Sequence, residues 1–214
     1  MACEQCQGLE RFFDQRTAER QLQQYRKRGP DKTTRLLLAA LQAEGVEGLT
    51  LLDVGGGIGA IQLALLKAGV TSATDVDAST AYLAAAQTEA QREQVAGRVT
   101  YQHGDFVDLA EQVAPAGVVT LDRVICCYHD MRGLVSQSAA KATRLYGVVY
   151  PRDTWWTRAA LVVGNLLLRS QKVTARVFVH PTAVVDALVR AAGLERRYQR
   201  DGVFWQVVVY ARPA

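Results

Sequence analysis

The sequence predicts an α/β fold: a doubly wound, mainly parallel sheet of seven strands with a helical segment in front of it. Two observations lead to this prediction. From Leu49 onward, short apolar runs alternate with helical segments rich in alanine and glutamine, which is the order of parallel strands joined by crossover helices. Near the end, residues 195–200 and 204–211 flank an Asp-Gly pair, which predicts a C-terminal antiparallel hairpin.

The composition is that of a globular protein with a single domain over residues 1–214. Hydrophobic residues make up 49% of the chain and charged residues 21%, so a substantial core is expected. The net charge of +4 is spread along the chain, which argues against a nucleic-acid partner. No apolar run approaches the roughly 20 residues of a membrane helix, and the N-terminus lacks a signal-peptide pattern. We therefore expect no integral membrane segment and a cytoplasmic location, and the sequence leaves the oligomeric state open.

Residues 1–44 predict a helical N-terminal cap. They are rich in helix formers and show no strand pattern. Gly29 and Pro30 interrupt the helical pattern, Asp31 is placed to cap the next helix, and Gly45 ends it. Such a segment directly before the first strand indicates a cover on the domain, not a domain of its own.

The alternating region then predicts its elements in order. The strands are expected at residues 49–54, 72–76, 99–102, 118–126 and 144–150. The helices are expected at residues 60–68, 79–96, 109–113, 131–142 and 182–192. An additional helix over residues 155–169 breaks the alternation after the fifth strand. We interpret residues 152–176 as a helical insertion over the site where an acceptor binds.

The turn between the first strand and its helix reads Asp53-Val-Gly-Gly-Gly-Ile-Gly59. Glycines allow backbone to approach a ligand closely or to adopt positive φ, and the helix that follows offers free N–H groups. Gly55, Gly57 and Ala60 would also fit the turn that binds a dinucleotide pyrophosphate. Asp53 argues against that ligand because a carboxylate repels a pyrophosphate but attracts the cationic S-adenosylmethionine (SAM).

Acidic residues also follow the second and third predicted strands, in "TDVDAS" and "HGDF", and "VVTLDRVICCYHD" covers the fourth strand and its end. With the glycine turn, these motifs resemble the class I SAM-dependent methyltransferases, whose fold is Rossmann-like. The resemblance implies that Asp77 binds the ribose hydroxyls, with Asp75 as its competitor, and that Asp105 and Phe106 hold the adenine. The predicted cofactor-binding residues are Asp53, Gly55, Gly57, Gly59, Asp77, Asp105, Phe106 and Cys126.

The chain after Asp122 is similar to the magnesium-protoporphyrin O-methyltransferase family, through "LDRVICCYHDM", "YPRDTWWTR" and the segment from Arg176 to Arg212. The resemblance implies O-methylation of a small, planar, anionic molecule that is porphyrin-like. Trp155 and Trp156 would stack on such a molecule, and Arg152 or Arg158 would pair with its carboxylates.

The same resemblance implies three catalytic residues, Tyr25, Tyr128 and His129. The family has a His-Tyr pair after the fourth strand. Here the pair reads Cys127-Tyr128, and a histidine stands one position later. A phenol acceptor would need a general base, for which His129 or His180 is the candidate, whereas a carboxylate acceptor is already ionised.

Several alternatives remain open from the sequence. The acceptor could be another phenol or carboxylic acid, or the protein could bind SAM without catalysis. A nicotinamide-dependent oxidoreductase would share the glycine turn but not Asp53 and "HGDF". No metal site is predicted, because Cys3 and Cys6 form a single CxxC that only Cys126 and Cys127 could complete. Cys126 also fits a small buried hydrophobic residue.

Overall fold

A computed structural model describes residues 14–170 and 176–213. Their strands form one seven-stranded sheet in the order β3-β2-β1-β4-β5-β7-β6, which confirms the predicted Rossmann-like α/β fold. The strands are β1 (Thr50–Val54), β2 (Ser72–Asp77), β3 (Val99–His103), β4 (Ala116–Asp122), β5 (Ala142–Pro151), β6 (Glu195–Asp201) and β7 (Trp205–Ala211). The helices are α1 (Gln15–Arg28), α2 (Lys32–Ala43), α3 (Ala60–Lys67), α4 (Thr80–Arg92), α5 (Phe106–Leu109), α6 (Met131–Lys141), α7 (Trp155–Ser170) and α8 (Thr182–Ala191).

The direction of the strands sets where a ligand can bind. Strand β1 is parallel to β2 on one side and to β4 on the other, so β1 is the point where the strand order reverses. In open α/β sheets the ligand crevice lies at the carboxyl ends of the strands at this switch point. Strand β7 is antiparallel to both β5 and β6, which confirms the predicted C-terminal hairpin.

The core consists of two layers, one on each face of the sheet. Val118 and Val119 are adjacent on β4, and each is fully buried in a different layer. One layer contains α6 and α8 and the buried tyrosines Tyr146 and Tyr210. The other contains the apolar faces of α2 and α3. The alternation of side chains along each strand explains how a single sheet buries apolar residues on both faces.

The helical cap packs against α4 through a buried ion-pair network. Glu89 of α4 is fully buried, and its carboxylate binds Arg26 of α1 at 2.7 Å and Arg92 of α4 at 2.6 Å. Removing one partner of a buried ion pair is strongly destabilising. This network therefore fastens α1 to the body of the domain.

Two predicted elements differ most from the structure in their bounds, and the helix expected at residues 79–96 ends at Arg92. The fourth strand was expected to run to Cys126, but β4 ends at Asp122 because Arg123 adopts a left-handed φ of 64°. A short 3-10 helix, Ile125–Cys127, follows. Helix α5 begins at Phe106, earlier than expected, because the Asp105 side chain accepts a hydrogen bond from the Val107 N–H and caps it.

Among residues 14–170 and 176–213, no helix has both the length and the apolar character that crossing a membrane requires.

Candidate functional site

A cavity of about 620 Å³ lies at the carboxyl ends of β1, β2 and β4. This is within the usual size range of small-molecule sites. Helices α1 and α2 contribute to one wall and the turn between β6 and β7 to another. The predicted site residues that line the cavity are Tyr25, Asp53, Gly55, Gly57, Asp77, Asp105, Phe106, Cys126 and Tyr128.

The glycine turn has the backbone conformation that requires glycine. Gly55 has φ +67°, and Gly59 has φ +80° as the N-cap residue of α3. No side chain caps α3, so the first N–H groups of the helix are left for a ligand, whereas the N–H groups of Gly55, Gly57 and Gly59 donate within the protein. Gly59 does not line the cavity itself, and its contribution is to start the helix.

Asp53 lies beneath this turn with 1% of its surface exposed. The Thr120 hydroxyl donates a hydrogen bond to its carboxyl at 2.7 Å, and the Gln62 amide donates one at 3.3 Å. Burial raises the pKa of Asp53 to about 7, against these two hydrogen bonds and with smaller contributions from Asp122 and Asp77. A cationic ligand would lower this pKa again.

The two candidates for the ribose-binding carboxylate, Asp77 and Asp75, have different surroundings in the structure. Asp77 lines the cavity and accepts hydrogen bonds from the Gly57 N–H at 3.0 Å and the Ser79 N–H at 2.8 Å. Asp75 has no exposed surface, lies behind Gly56, and neither of its carboxyl oxygens has a hydrogen-bond partner. Burial raises the pKa of Asp75 well above its usual value, and the neighbouring carboxyls of Asp53 and Asp77 add to the effect. Asp75 is therefore enclosed in the protein, whereas Asp77 is open to the cavity.

Tyr128 and Asp105 are directly bonded. The Tyr128 hydroxyl lies 2.9 Å and 2.7 Å from the two carboxyl oxygens of Asp105, to which it donates. Asp105 is the residue expected to bind the adenine amino group, and Phe106 beside it is buried and lines the same cavity. Tyr128 therefore lies beside Asp105 in the cavity wall, on the segment that follows β4.

A polar cluster at the end of β4 joins the cap to the cavity, and no local sequence pattern indicates it. The Thr34 hydroxyl donates to Asp122 at 2.5 Å, and Arg123 pairs with Asp122 at 3.0 Å and with Asp31 at 2.5 Å. Burial raises the pKa of Asp122, and Arg123 opposes this. Asp31 and Thr34 are distant in sequence from β4, so only the folded chain reveals this contact.

The cavity is strongly acidic. Among the described residues that line it, Arg123 carries the positive charge, and its side chain is paired with two carboxylates. The acidic residues that line it are Asp31, Asp53, Asp77, Asp105 and Asp122. This balance suits a cationic ligand such as SAM, so the residues present fit the cofactor that the sequence predicts.

Other predicted site residues lie outside the cavity. His129 is exposed and stacks on Tyr128, with the ring centres 5.3 Å apart. Trp155 is 78% exposed and contacts Trp156 edge to face. Arg158 pairs with Asp153 at 2.6 Å, and Arg152 pairs with Asp201 at 3.3 Å. None of these side chains lines the cavity.

Four residues from the second half of the chain form the apolar wall instead: Leu161, Val177, Phe204 and Trp205. Leu161 lies on α7, and the Asn165 side chain binds the backbone of Val177 at 2.8 Å and 3.0 Å. The predicted insertion, residues 152–176, thus reaches the cavity through Leu161 and not through its tryptophans. The aromatic pair, Phe204 and Trp205, comes from the hairpin. The segment "GVFWQ" is the sequence pattern that could have indicated it.

The remaining histidines and cysteines have local roles or lie elsewhere. His180 contacts the Ile125 carbonyl at 2.8 Å, and burial lowers the pKa of this histidine. His103 contacts the Ala78 carbonyl at 3.2 Å. Cys3 and Cys6 lie outside the described residues. No group of three or more metal-ligating side chains is found in residues 14–170 and 176–213.

Comparisons with known proteins identify a similar family model and similar solved structures. Residues 20–120 match the family model of the methyltransferase small domain. No protein with curated function matches the sequence significantly. Magnesium protoporphyrin IX methyltransferase from Synechocystis PCC 6803, solved with bound SAH, superposes with a TM-score of 0.70 at 20% identity, covering 85% of this chain and 83% of that one.

Two further solved structures have the same fold. An O-methyltransferase family protein from Burkholderia thailandensis gives a TM-score of 0.68 at 18% identity, covering 94% of this chain and 61% of that one. A chain of the complex between the Haloferax volcanii Trm112 methyltransferase activator and a methyltransferase gives 0.64 at 16% identity, covering 85% and 89%. The family-model match over residues 20–120 and the shared fold together support a SAM-dependent methyltransferase.

Proposed function

We propose that this protein transfers a methyl group from SAM to an oxygen atom of a small planar acceptor, and that a porphyrin-like carboxylate is the first candidate. The observation that carries the proposal is the division of the cavity. Its one side is acidic and glycine-rich, and its other side is apolar and aromatic, with Phe204 and Trp205. A cationic donor suits the first side, and a flat acceptor suits the second.

SAM supplies an electrophilic methyl group on a sulfonium, so this chain's residues mainly need to hold and orient. We assign Asp77 to the ribose hydroxyls and Asp105 with Phe106 to the adenine. Gly55 and Gly57 allow close approach of the backbone, and Asp53 supplies negative charge beneath the turn. Gly59 begins helix α3, and Cys126 closes the cavity where β4 ends.

On the acceptor side, we assign Tyr25 and Tyr128 to positioning, because both line the cavity. A carboxylate acceptor needs no base. The cation in the described cavity wall is Arg123, which is already paired with Asp31 and Asp122. A phenol would need a base, and His129 would have to move from its exposed position to serve.

A panel of acceptors tests the proposal. We expect methyl transfer from labelled SAM to a porphyrin carboxylate, and no transfer to the same porphyrin with its carboxyls already esterified. A flat phenol and an aliphatic carboxylic acid complete the panel and identify the two alternative acceptor classes. Tight SAM binding without transfer to any compound would instead identify a non-catalytic SAM-binding protein.

The ionisation of Asp53 predicts pH-dependent SAM binding. Its pKa in the folded protein, about 7, is above the ordinary value of 3.8. The neutral carboxyl of Asp53 therefore stabilises the folded protein fully below about pH 4, and this stabilisation is lost as pH rises through 7. A bound cation favours the carboxylate, so SAM affinity should rise about three- to tenfold between pH 5.5 and 7.5, with proton release.

Calorimetry in buffers of different ionisation enthalpy measures both quantities. The matched control is Asp53→Asn, which keeps the size of the side chain and removes its titration. SAM's own amine titrates equally in both proteins, so the comparison isolates Asp53. An equal pH slope in the wild-type protein and in Asp53→Asn would contradict the assignment.

A further inference from the structure

Two neighbouring thiols meet in the cavity wall. The Sγ atoms of Cys126 and Cys127 are 3.8 Å apart, and both residues line the cavity. Each thiol also faces the Arg123 carbonyl, at 3.2 Å for Cys126 and 3.8 Å for Cys127. Both side chains therefore point to the same side of the short 3-10 helix that carries them.

The backbone of this short helix is held from outside. The Phe178 N–H donates to the Cys126 carbonyl at 2.6 Å, and His180 contacts the Ile125 carbonyl at 2.8 Å. These contacts come from the segment that follows α7. The backbone that carries both thiols is thus held in place by these contacts, which reduces the ordering cost of binding across the two sulfurs.

The two thiols also differ in acidity. The hydrogen bond between them lowers the pKa of Cys127 against the effect of burial, and Arg123 lowers it further. The same hydrogen bond and burial raise the pKa of Cys126. Cys127 is therefore the more acidic thiol of the pair, and the thiolate is the form that attacks and ligates.

A direct disulfide does not suit this pair. Adjacent Cα atoms across a trans peptide are about 3.8 Å apart, and the peptide bonds in the described residues include no cis bond. Disulfides usually need about 4.4 Å or more between Cα atoms. A larger atom that bonds to both sulfurs and lies between them avoids the strain of a direct S–S bond.

We propose that Cys126 and Cys127 form a dithiol site that binds a trivalent arsenical across its two sulfur atoms. Sulfur ligands select soft, thiophilic elements over hard ones. In the reaction with phenylarsine oxide in its hydrated form, two S–As bonds form and two As–O bonds break. Each leaving hydroxyl takes one thiol proton and departs as water, and arsenic remains trivalent, so no oxidant is needed.

The bound arsenical would fill part of the cavity. Cys126 and Cys127 share the cavity with Asp53 and Asp77, which we assign to SAM. This consequence rests on the proposed function, whereas the binding of arsenic itself does not. SAM and the arsenical should therefore exclude each other.

The experiment uses the full chain with Cys3→Ser and Cys6→Ser, so that only the pair in the cavity remains. We expect one phenylarsine oxide adduct per chain by intact mass, reversed by a small dithiol such as dimercaptopropanol. SAM affinity, measured first on the unmodified protein, should fall at least tenfold in the adduct. Loss of SAM binding in the unmodified protein would refute the proposed function and leave the adduct result standing.

Cys127→Ser in the same background is the test variant, because Cys127 is only half-buried and serine is close in size. We expect an unchanged melting temperature and at least a tenfold loss of dithiol-reversible adduct. Stoichiometric adduct in Cys127→Ser, or none in the parent chain, would overturn the proposal. A monothiol alkylating reagent, which needs one sulfur only, should still label Cys126 in the variant once the protein is unfolded, which confirms the thiol count.

Discussion

Replacing Gly55 with alanine is expected to abolish SAM binding, with a loss of at least 100-fold in affinity. Gly55 has φ +67°, and an added Cβ would lie 2.6 Å from Cγ2 of Val124. The left-handed conformation alone costs about 1–2 kcal/mol for a residue with a side chain. Relief of the contact requires the glycine turn or the start of the segment after β4 to move, and both line the cavity.

Calorimetry with SAM measures this effect, and circular dichroism checks that the variant is folded. Gly97→Ala is the matched control, because a Cβ at Gly97 meets no atom within 4 Å and its φ is not positive. The control should bind SAM as the wild-type protein does. A folded Gly55→Ala variant with affinity within twofold of wild type would show that the turn does not hold the cofactor.

Asp77→Ala should weaken SAM binding by about 1.5–3 kcal/mol, which is roughly 10- to 150-fold in affinity. The substitution removes the carboxylate that we assign to the ribose hydroxyls. It also frees the Gly57 and Ser79 N–H groups that this carboxylate accepts from. The measurement is the dissociation constant for SAM at a pH of about 7.5.

Asp75→Asn is the matched control for this prediction. Asp75 is fully buried and does not line the cavity, and burial raises its pKa, which favours the neutral carboxyl. An amide of the same shape should leave SAM affinity within about twofold. If Asp75→Asn weakened binding more than Asp77→Ala did, the ribose contact would belong to Asp75.

The fold and the cofactor side of the cavity could be predicted from the sequence because their signals are local. Strand, turn and helix follow one another within a few residues around Gly55, and each acidic residue stands at the end of its strand. Parallel strands bring those ends together. The placement of Asp53, Asp77 and Asp105 around one cavity is consistent with this prediction.

The other side of the cavity depends on contacts between distant parts of the chain. Phe204 and Thr34 reach the cavity from opposite ends of the sequence, and no local pattern indicates that they do. The expected stacking role of Trp155 depended on which face of α7 points inward, and the structure turns Leu161 inward. The position of His129 depended on how β4 ends, which the left-handed φ of Arg123 decides.

The two walls of the cavity are encoded in separate stretches of the chain. One wall is built from the glycine turn, Asp77 and Asp105. These all lie within residues 20–120, the part that matches the methyltransferase family model. The apolar wall, from Leu161 to Trp205, lies after it. Under the proposed function, substitutions in the later stretch should change which molecule receives the methyl group while donor binding is preserved, so that acceptor choice could evolve independently of the transfer chemistry.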